Sequence, residues 1–136
     1  MDNLTTSQRS RAMRAVKAKD TSPELAVRAM CRELGEPGYR LHRRDVPGSP
    51  DVAYLGRRLA VFVNGCFWHG HDCKAGAKVA KTNAGYWRQK IERNVARDAR
   101  REGELREAGW RTLVLWECEV KEASLAKRKL ARFLRR

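Results

Sequence analysis

The stretch NGCFWHGHDCK places two cysteines and two histidines within a few residues of one another. Thiolates and imidazoles are ligands that zinc prefers, and four of them close a structural zinc site. Cys66 and Cys73 supply two ligands, either His69 or His71 supplies a third, and Cys118 could supply the fourth. The spacing therefore predicts structural zinc, although two inert buried thiols beside exposed histidines would give the same spacing.

Two aromatic residues, Phe67 and Trp68, lie inside this cluster. If zinc holds the loop at Cys66 and Cys73, the side chains between them cannot collapse freely into a core and project outward as a rigid apolar wedge. Apolar side chains inserted between base steps unstack them, at the lowest cost where a base is mispaired. The pattern is therefore typical of a loop that recognises mispaired bases. The alternative is that the two aromatic side chains pack locally against the zinc site.

A carboxylate begins the strand predicted in SPDVAY. Asp51 follows a proline at the rim of the sheet, where it can hold Mg²⁺, which takes one or two carboxylates and keeps its remaining waters. This Pro-Asp start resembles the PD-(D/E)xK nuclease superfamily. The usual Glu-x-Lys on the next strand is absent, because Phe62, Val63 and Asn64 occupy that place. Taken alone, Asp51 could equally be a turn residue.

The chain carries 30 lysines and arginines against 16 aspartates and glutamates, a net charge of +14. Such an excess repels itself unless a polyanion is nearby, so nucleic acid is the first partner to consider, with a solvated basic surface as the alternative. We expect two basic faces to grip phosphates. The first consists of Arg9, Arg11 and Arg14, and the second of Lys90, Arg93 and Arg97.

The N-terminus has no apolar signal segment, and no run approaches the roughly 20 apolar residues of a membrane span. We therefore expect a cytoplasmic protein with no membrane partner. In a reducing compartment, four cysteines favour metal binding over disulfides. At 136 residues, the chain is predicted to fold as one domain.

Hydrophobic periodicity and turn residues predict the order helix, helix, three strands, helix, strand, helix. The predicted helices cover residues 5–18, 23–34, 85–108 and 121–134, and the predicted strands cover 39–42, 51–55, 59–63 and 110–117. Helices on both sides of a small mixed sheet are the simplest α/β arrangement of these elements. If the strands at 59–63 and 111–116 are parallel neighbours, the loops after them emerge at one edge and bring Cys118 to Cys66.

Two of these helices carry predictions about caps and packing. The second predicted helix has Ser22 as N-cap, Pro23 as the first helical residue and Gly35 just past the end. Its inward face is predicted to consist of Leu25, Ala29, Met30 and Leu34, with Cys31 beside it as a small hydrophobe. In the third helix, Trp87, Ile91 and Val95 recur every four residues and predict the buried face.

Four motifs, PGSPD, GCFWHGHDC, YWRQKIERNVARD and GWRTLVLWEC, together resemble the very-short-patch repair (Vsr-type) DNA mismatch endonucleases. With the N-terminal SRAMRAVKAKDTSPE they cover most of the chain through Cys118, and the residues after it match poorly. The resemblance implies a restriction-endonuclease-like α/β fold with three layers and one structural zinc. It also implies a single domain over residues 1–136, in which residues 1–19 form a basic DNA-contacting helix or arm.

The activity that the resemblance implies is Mg²⁺-dependent nicking of duplex DNA on the 5′ side of the thymine in a T·G mismatch. Such mismatches arise when 5-methylcytosine deaminates. The implied partners are double-stranded DNA carrying the mismatch and, beyond it, mismatch-repair proteins. We expect a monomer, because one active site acts on an asymmetric substrate.

The family's site residues carry over onto matching positions of this sequence. The resemblance implies that Asp51 binds Mg²⁺ directly and that the backbone carbonyl of Val63 is a second contact. It makes His69 the base or water-positioning group, while Glu24 and Asp98 hold metal-bound waters. The implied zinc ligands are Cys66, His71, Cys73 and Cys118, and the implied intercalating residues are Phe67, Trp68 and Met13.

Two positions depart from the family's best-known pattern. Val63 stands where threonine is usual, which should leave a backbone carbonyl in place. Asn64 stands where some members have histidine, and an amide can orient a water but cannot transfer a proton near neutral pH. The role of Asn64 therefore stays open, and so does that of Trp87 in the third predicted helix. Two alternatives to the mismatch nickase also stay open: a zinc-stabilised DNA-binding module without catalysis, and a related nuclease with another DNA substrate.

Overall fold

The computed structural model describes residues 21–66, residue 71 and residues 84–135. The helix predicted at 5–18 and the basic arm at 1–19 lie outside these described residues. Among the residues that are described, no helix is long and apolar enough to cross a membrane.

The described elements alternate between helix and strand. The helices are α1 (Ser22–Glu33), α2 (Ala84–Glu107), α3 (Glu117–Lys121) and α4 (Ala123–Leu134), and the strands are β1 (Val52–Tyr54), β2 (Leu59–Asn64) and β3 (Arg111–Trp116). Between residues 51 and 116 each predicted helix and strand is therefore present, with its ends moved by one or two residues.

The three strands form a mixed sheet in the order β1-β2-β3. β1 runs antiparallel to β2, with Val52 opposite Val61, and β2 runs parallel to β3 from its first residue to its last. The register sets Asn64 opposite Trp116, so both strands end at the same edge of the sheet. The predicted parallel pairing is confirmed, and it brings the chain segments after β2 and β3 together.

Helices cover both faces of this sheet. On one face Leu59 and Val61 of β2 are buried in the main core, which α1 and α4 complete. On the other face Ala60 and Phe62 pack with Leu105 of α2 in a smaller core. This alternation along β2 gives the three-layer α/β arrangement that the sequence predicted, consistent with a nuclease-like fold.

The N-cap of α1 is Thr21, so the prediction of Ser22 was wrong by one residue. The Thr21 hydroxyl accepts from the Glu24 N–H at 3.4 Å, and the Glu24 carboxylate accepts from the Thr21 N–H at 2.7 Å. This reciprocal capping box satisfies backbone donors that the first turn leaves open. Pro23 consequently occupies the second helical position. The cap also fixes the Glu24 carboxylate at the start of α1.

Two predicted core positions and one predicted element differ from the structure. Leu25 is 49% exposed and Val95 47% exposed. Met30 is buried in the core as predicted, and Val27 and Cys31, rather than Leu25, share that face of α1 with it.

The strand predicted at 39–42 is reduced to a single bridge between Arg40 and Ala53. It ends there because His42 takes a left-handed backbone conformation, with φ of 48°. The helix predicted at 121–134 is present as α4, which begins two residues later because Glu122 is its N-cap; the short helix α3 before it was not predicted.

Candidate active site and thiolate cluster

Asp51 is held by a close-packed turn that precedes β1. Gly48 has φ of 80°, and a Cβ built on it would lie 3.2 Å from both the Phe62 ring and Cβ of Arg101. A residue larger than glycine would therefore push the turn away from α2 and β2. Pro50 is fully buried at the end of the turn. The PGSPD motif thus fixes the backbone from which the Asp51 side chain extends.

The carboxylate of Asp51 is tied to the neighbouring strand. Pairing between β1 and β2 ends at Val52 and Val61, and the Val63 N–H, two residues further on, donates to Asp51 Oδ2 at 2.6 Å. The side chain thereby replaces a backbone acceptor at the end of the ladder. Asp51 and the Val63 backbone are consequently in direct contact.

Glu24 and Asp51 form a coupled pair of carboxyl groups. Burial, followed by the hydrogen bond with Glu24, raises the pKa of Asp51 to about 8, although the Val63 N–H acts to lower it. Burial also acts to raise the pKa of Glu24, but the hydrogen bonds from Asp51 and Thr21 outweigh it, so the net shift is downward. The pair therefore holds one proton between two oxygens, as like charges in a shared site do.

A histidine and an arginine that the sequence did not single out lie beside this pair. A ring nitrogen of His42 and carboxylate oxygens of Glu24 and Asp51 all lie within 4.8 Å of one another. Nη2 of Arg28 lies 3.1 Å from Nε2 of His42, and Arg28 is only 7% exposed. One signal could have found Arg28: it follows Glu24 by four residues, which puts two charged side chains on one side of α1.

The carboxyl groups of Glu24 and Asp51 open onto a pocket of about 250 Å³ between the sheet edge and α2. The residues predicted for the active site that line it are Glu24, Asp51, Val63, Asn64 and Asp98. Arg101 and Thr112 also line the pocket and were not predicted. Side chains from α1, the turn before β1, β2 and α2 thus converge at one place, although they are far apart in sequence.

The second cluster lies past the paired ends of β2 and β3. Ligand atoms of Cys66, His71 and Cys118 lie within 4.8 Å of one another. Sγ of Cys118 is 3.6 Å from Nδ1 of His71, and the Cys118 N–H points at Sγ of Cys66 at 3.4 Å. Two thiols and one imidazole at these distances fit the donor set of a tetrahedral zinc site.

His71 is held in this cluster from two directions. The backbone N–H of His71 donates to the Cys66 carbonyl at 2.9 Å, and the His71 ring stacks on Trp116 with the centroids 4.1 Å apart. Cys73 and His69 lie outside the described residues, as do the proposed wedge residues Phe67, Trp68 and Met13. Of the two histidines that the spacing left open, the structure describes His71, and it lies with the two cysteines.

A basic groove runs along α2. Its lining residues are Lys90, Arg93, Asn94, Ala96, Arg97 and Arg100. Of these, Lys90, Arg93 and Arg100 are exposed, and Arg97 donates to the Asn94 side chain at 2.9 Å. The face predicted from Lys90, Arg93 and Arg97 therefore forms one concave surface.

Comparison with known proteins identifies the family. The family model described as "DNA mismatch endonuclease Vsr" matches residues 1–75. A relative named Type II nicking enzyme V.XorIIP, from Xanthomonas oryzae, is 44% identical over 133 residues, which are 98% of this chain and 96% of the relative. The chain belongs to the Vsr family.

Two further relatives agree with this membership. The DNA mismatch endonuclease Vsr of Escherichia coli is 38% identical over 83% of this chain and 71% of its own length. The Type II nicking enzyme V.NmeAIP of Neisseria meningitidis is 38% identical over 98% and 94%. The chain is an endonuclease, as predicted, and the alternative of a DNA-binding module without catalysis finds no support among these Vsr relatives.

Proposed function

We propose that this Vsr-family chain nicks duplex DNA on the 5′ side of the thymine in a T·G mismatch, with Mg²⁺ bound at Asp51. The observation that carries the proposal is the Glu24–Asp51 pair at the end of β2, joined to the Val63 backbone by the 2.6 Å hydrogen bond. Its pocket also contains Asn64 and Asp98, and it opens between the sheet and the helix that carries the basic groove.

The donors in this pocket fit magnesium, which prefers carboxylate, carbonyl and water oxygens. Asp51 offers a carboxylate as a direct ligand, and Glu24 beside it offers one to a metal-bound water. The N–H and C=O of a strand residue point to the same side, so the Val63 carbonyl faces the side on which its N–H meets Asp51. When bound there, the cation supplies an activated water and neutralises charge on the scissile phosphate.

The protein's own groups prepare this chemistry in two ways. Glu24 is fixed by the capping box and Asp51 by the Val63 N–H, so neither carboxylate has to reorganise on binding a cation. Asn64 is almost fully buried at the pocket and can orient a water through its amide. Proton transfer is assigned to His69, the family's position for it, and Asp98 is proposed to hold a metal-bound water.

We propose that Cys66, His71, Cys118 and Cys73 bind one structural zinc. The three described members supply soft donors at distances that one ion spans. Cys66 and His71 enclose residues 67–70, and their backbones are joined by a 2.9 Å hydrogen bond. Because Cys66 and His71 hold both ends of this segment, they support the assignment of Phe67 and Trp68 as the wedge. Met13 is proposed to act from the opposite side of the duplex.

The basic groove on α2 is proposed to contact DNA phosphates. Such contacts give affinity and register without reading sequence. Discrimination is left to the wedge, because unstacking costs less at a mispaired step. We expect the chain to act as a monomer on DNA in the cytoplasm, with mismatch-repair proteins as further partners.

The deciding experiment compares nicking of a T·G duplex with nicking of the matched T·A duplex, each with Mg²⁺ and without it. The proposal expects a single-strand nick 5′ of the mispaired thymine, only with the cation and only in the mismatched duplex. Equal cleavage of both duplexes would contradict the T·G assignment. Cleavage in Mg²⁺-free buffer would contradict the metal assignment.

A further inference from the structure

His42 lies beside the carboxylates of the proposed metal centre and Arg28 contacts His42, but neither has a part in the function described so far. We propose that they form a positioning pair that holds the carboxylates of Glu24 and Asp51 ready for a divalent cation. In this pair His42 acts as a hydrogen-bond bridge, and it is neither a metal ligand nor a proton-transfer base. The inference rests on the proposed function, because it assumes that the carboxylates bind the cation.

Arg28 brings a permanent positive charge into a buried site. The side chain is 7% exposed and lies one helical turn after Glu24. A buried guanidinium is costly unless anionic groups compensate it. The carboxyl groups of Glu24 and Asp51, which share a cluster with its partner His42, are placed to supply that compensation. Arg28 therefore anchors the His42 side of the carboxylate pair.

His42 is delivered to this place by its backbone. Arg40 and Ala53 exchange two hydrogen bonds of 2.7 and 2.9 Å, which tie the segment to β1. Two residues later His42 has φ of 48°, a region that side-chain-bearing residues seldom occupy. Backbone conformations of this kind persist where the surrounding structure requires them, and they cluster at functional sites. The turn directs the ring toward Glu24 and Asp51.

The chemistry of the two side chains fixes their roles. An arginine can only donate hydrogen bonds, so Nε2 of His42 must accept the 3.1 Å contact from Arg28. The lone pair of Nε2 is then occupied, and the ring's proton lies on Nδ1, which can only donate. Neither nitrogen remains available as a metal ligand or a base. What the ring can do is receive from Arg28 and donate toward the carboxylate pair.

A glutamine has the same two capacities, because its amide oxygen accepts and its amide nitrogen donates. Alanine has neither. The pair of variants His42→Gln and His42→Ala therefore separates a bridge from a ligand, since an amide replaces an imidazole as a hydrogen-bond bridge but not as a nitrogen ligand or a base.

The experiment measures Mn²⁺ binding to the full chain by electron paramagnetic resonance, with single-turnover nicking as a second readout. Groups that orient metal ligands typically contribute about 10- to 100-fold to affinity, so we expect His42→Ala and Arg28→Met to weaken Mn²⁺ binding by about that factor. His42→Gln should stay within about threefold of the unmodified chain, because it keeps both hydrogen bonds. The matched control is Arg32→Met, which removes an exposed arginine one turn further along α1.

Two results would overturn the inference. One is a His42→Gln variant as weak as His42→Ala, which would make His42 a ligand or a base. The other is unchanged Mn²⁺ affinity in His42→Ala or, should that variant not fold, in Arg28→Met. Failure of the proposed function would look different: the unmodified chain would then bind Mn²⁺ no better than its Asp51→Asn variant.

Discussion

The Val63 N–H donates to Asp51 Oδ2 over 2.6 Å, at the point where the pairing of β1 with β2 has ended. One side chain therefore continues a backbone ladder that has lost its strand partner. The contact ties the carboxylate to the strand whose end lies beside β3 and the thiolate cluster. Position 51 is consequently fixed relative to both candidate metal sites by hydrogen bonds of the sheet.

Asp51→Asn tests this carboxylate. The amide keeps the size of the side chain but removes the charge, so we expect single-turnover nicking of a T·G duplex to fall by about 10³-fold, the scale of several kcal/mol of lost charge stabilisation. Duplex affinity should change little. Asp45→Asn is the matched control, because Asp45 is exposed and pairs only with nearby Arg43 among the contacts described for it. Full nicking activity in Asp51→Asn would remove Asp51 from the site.

The raised pKa of Asp51 predicts a pH dependence of stability in Mg²⁺-free buffer. A carboxyl whose pKa is about 8 in the folded chain and near 4 when unfolded keeps its proton longer in the folded state. Its contribution is therefore complete below about pH 4 and is lost as the pH rises through about 8. The free energy of unfolding should thus fall between about pH 5 and pH 8, and it should fall less in Asp51→Asn.

Denaturant unfolding of both chains across this range checks the sign. Adding Mg²⁺ at the upper end should restore stability to the unmodified chain and not to the variant, because a bound cation replaces the proton. Parallel curves for the two chains would show that Asp51 does not carry the dependence.

The cluster of Cys66, His71 and Cys118 predicts a zinc content that depends on Cys118. Cys118→Ser should reduce bound zinc from about one ion per chain and lower the melting temperature, since a structural zinc contributes folding free energy directly. Cys31→Ala is the control, because Cys31 is equally a thiol but lies in the main core between α1 and the sheet. That variant should keep its zinc and lose about 1 kcal/mol of stability from the small cavity. Elemental analysis with thermal melting distinguishes the two, and full zinc content in Cys118→Ser would exclude it as a ligand.

Much of this architecture was predictable because its signals are local or follow from sheet geometry. The meeting of Cys66 and Cys118 followed from assuming that two apolar strands run parallel, and the register confirms it. Asp51 after proline was visible as a carboxylate at the start of a predicted strand, whereas Glu24 was assigned only through the resemblance to the Vsr-type endonucleases. These features depend on a few neighbouring residues or on one pairing.

The positions that were wrong or missed depend on contacts between distant segments. Leu25 and Leu34 both fit an inward face by spacing, yet Leu25 is exposed because α1 is rotated to bring Glu24 to Asp51. His42 was read as one residue of an alternating strand. Its left-handed backbone conformation, which ends the strand after the single bridge of Arg40 to Ala53, is revealed by no local pattern.

The wedge proposal predicts a loss of discrimination. Replacing both Phe67 and Trp68 by alanine should make the nicking rates at T·G and T·A duplexes similar. No side chain is then inserted between base steps, so the lower cost of unstacking a mispaired step no longer affects the rate. Tyr86→Ala is the control: this exposed aromatic on α2 should affect affinity at most. Competition between the two duplexes in one reaction measures the ratio directly, and an undiminished preference for T·G would contradict the wedge.

The basic groove predicts a change in salt dependence. Each phosphate contact releases about 0.9 counterions from duplex DNA, so Arg93→Gln with Arg97→Gln should reduce the slope of log affinity against log salt by about two. The loss should be equal for T·G and T·A duplexes, because phosphate contacts carry no sequence information. Arg128→Gln with Arg132→Gln is the matched control, since both are exposed on α4, which packs on the opposite face of the sheet. A larger change in the α4 pair than in the α2 pair would place the duplex on the other side of the molecule, away from the Asp51 pocket, and would contradict the proposed docking.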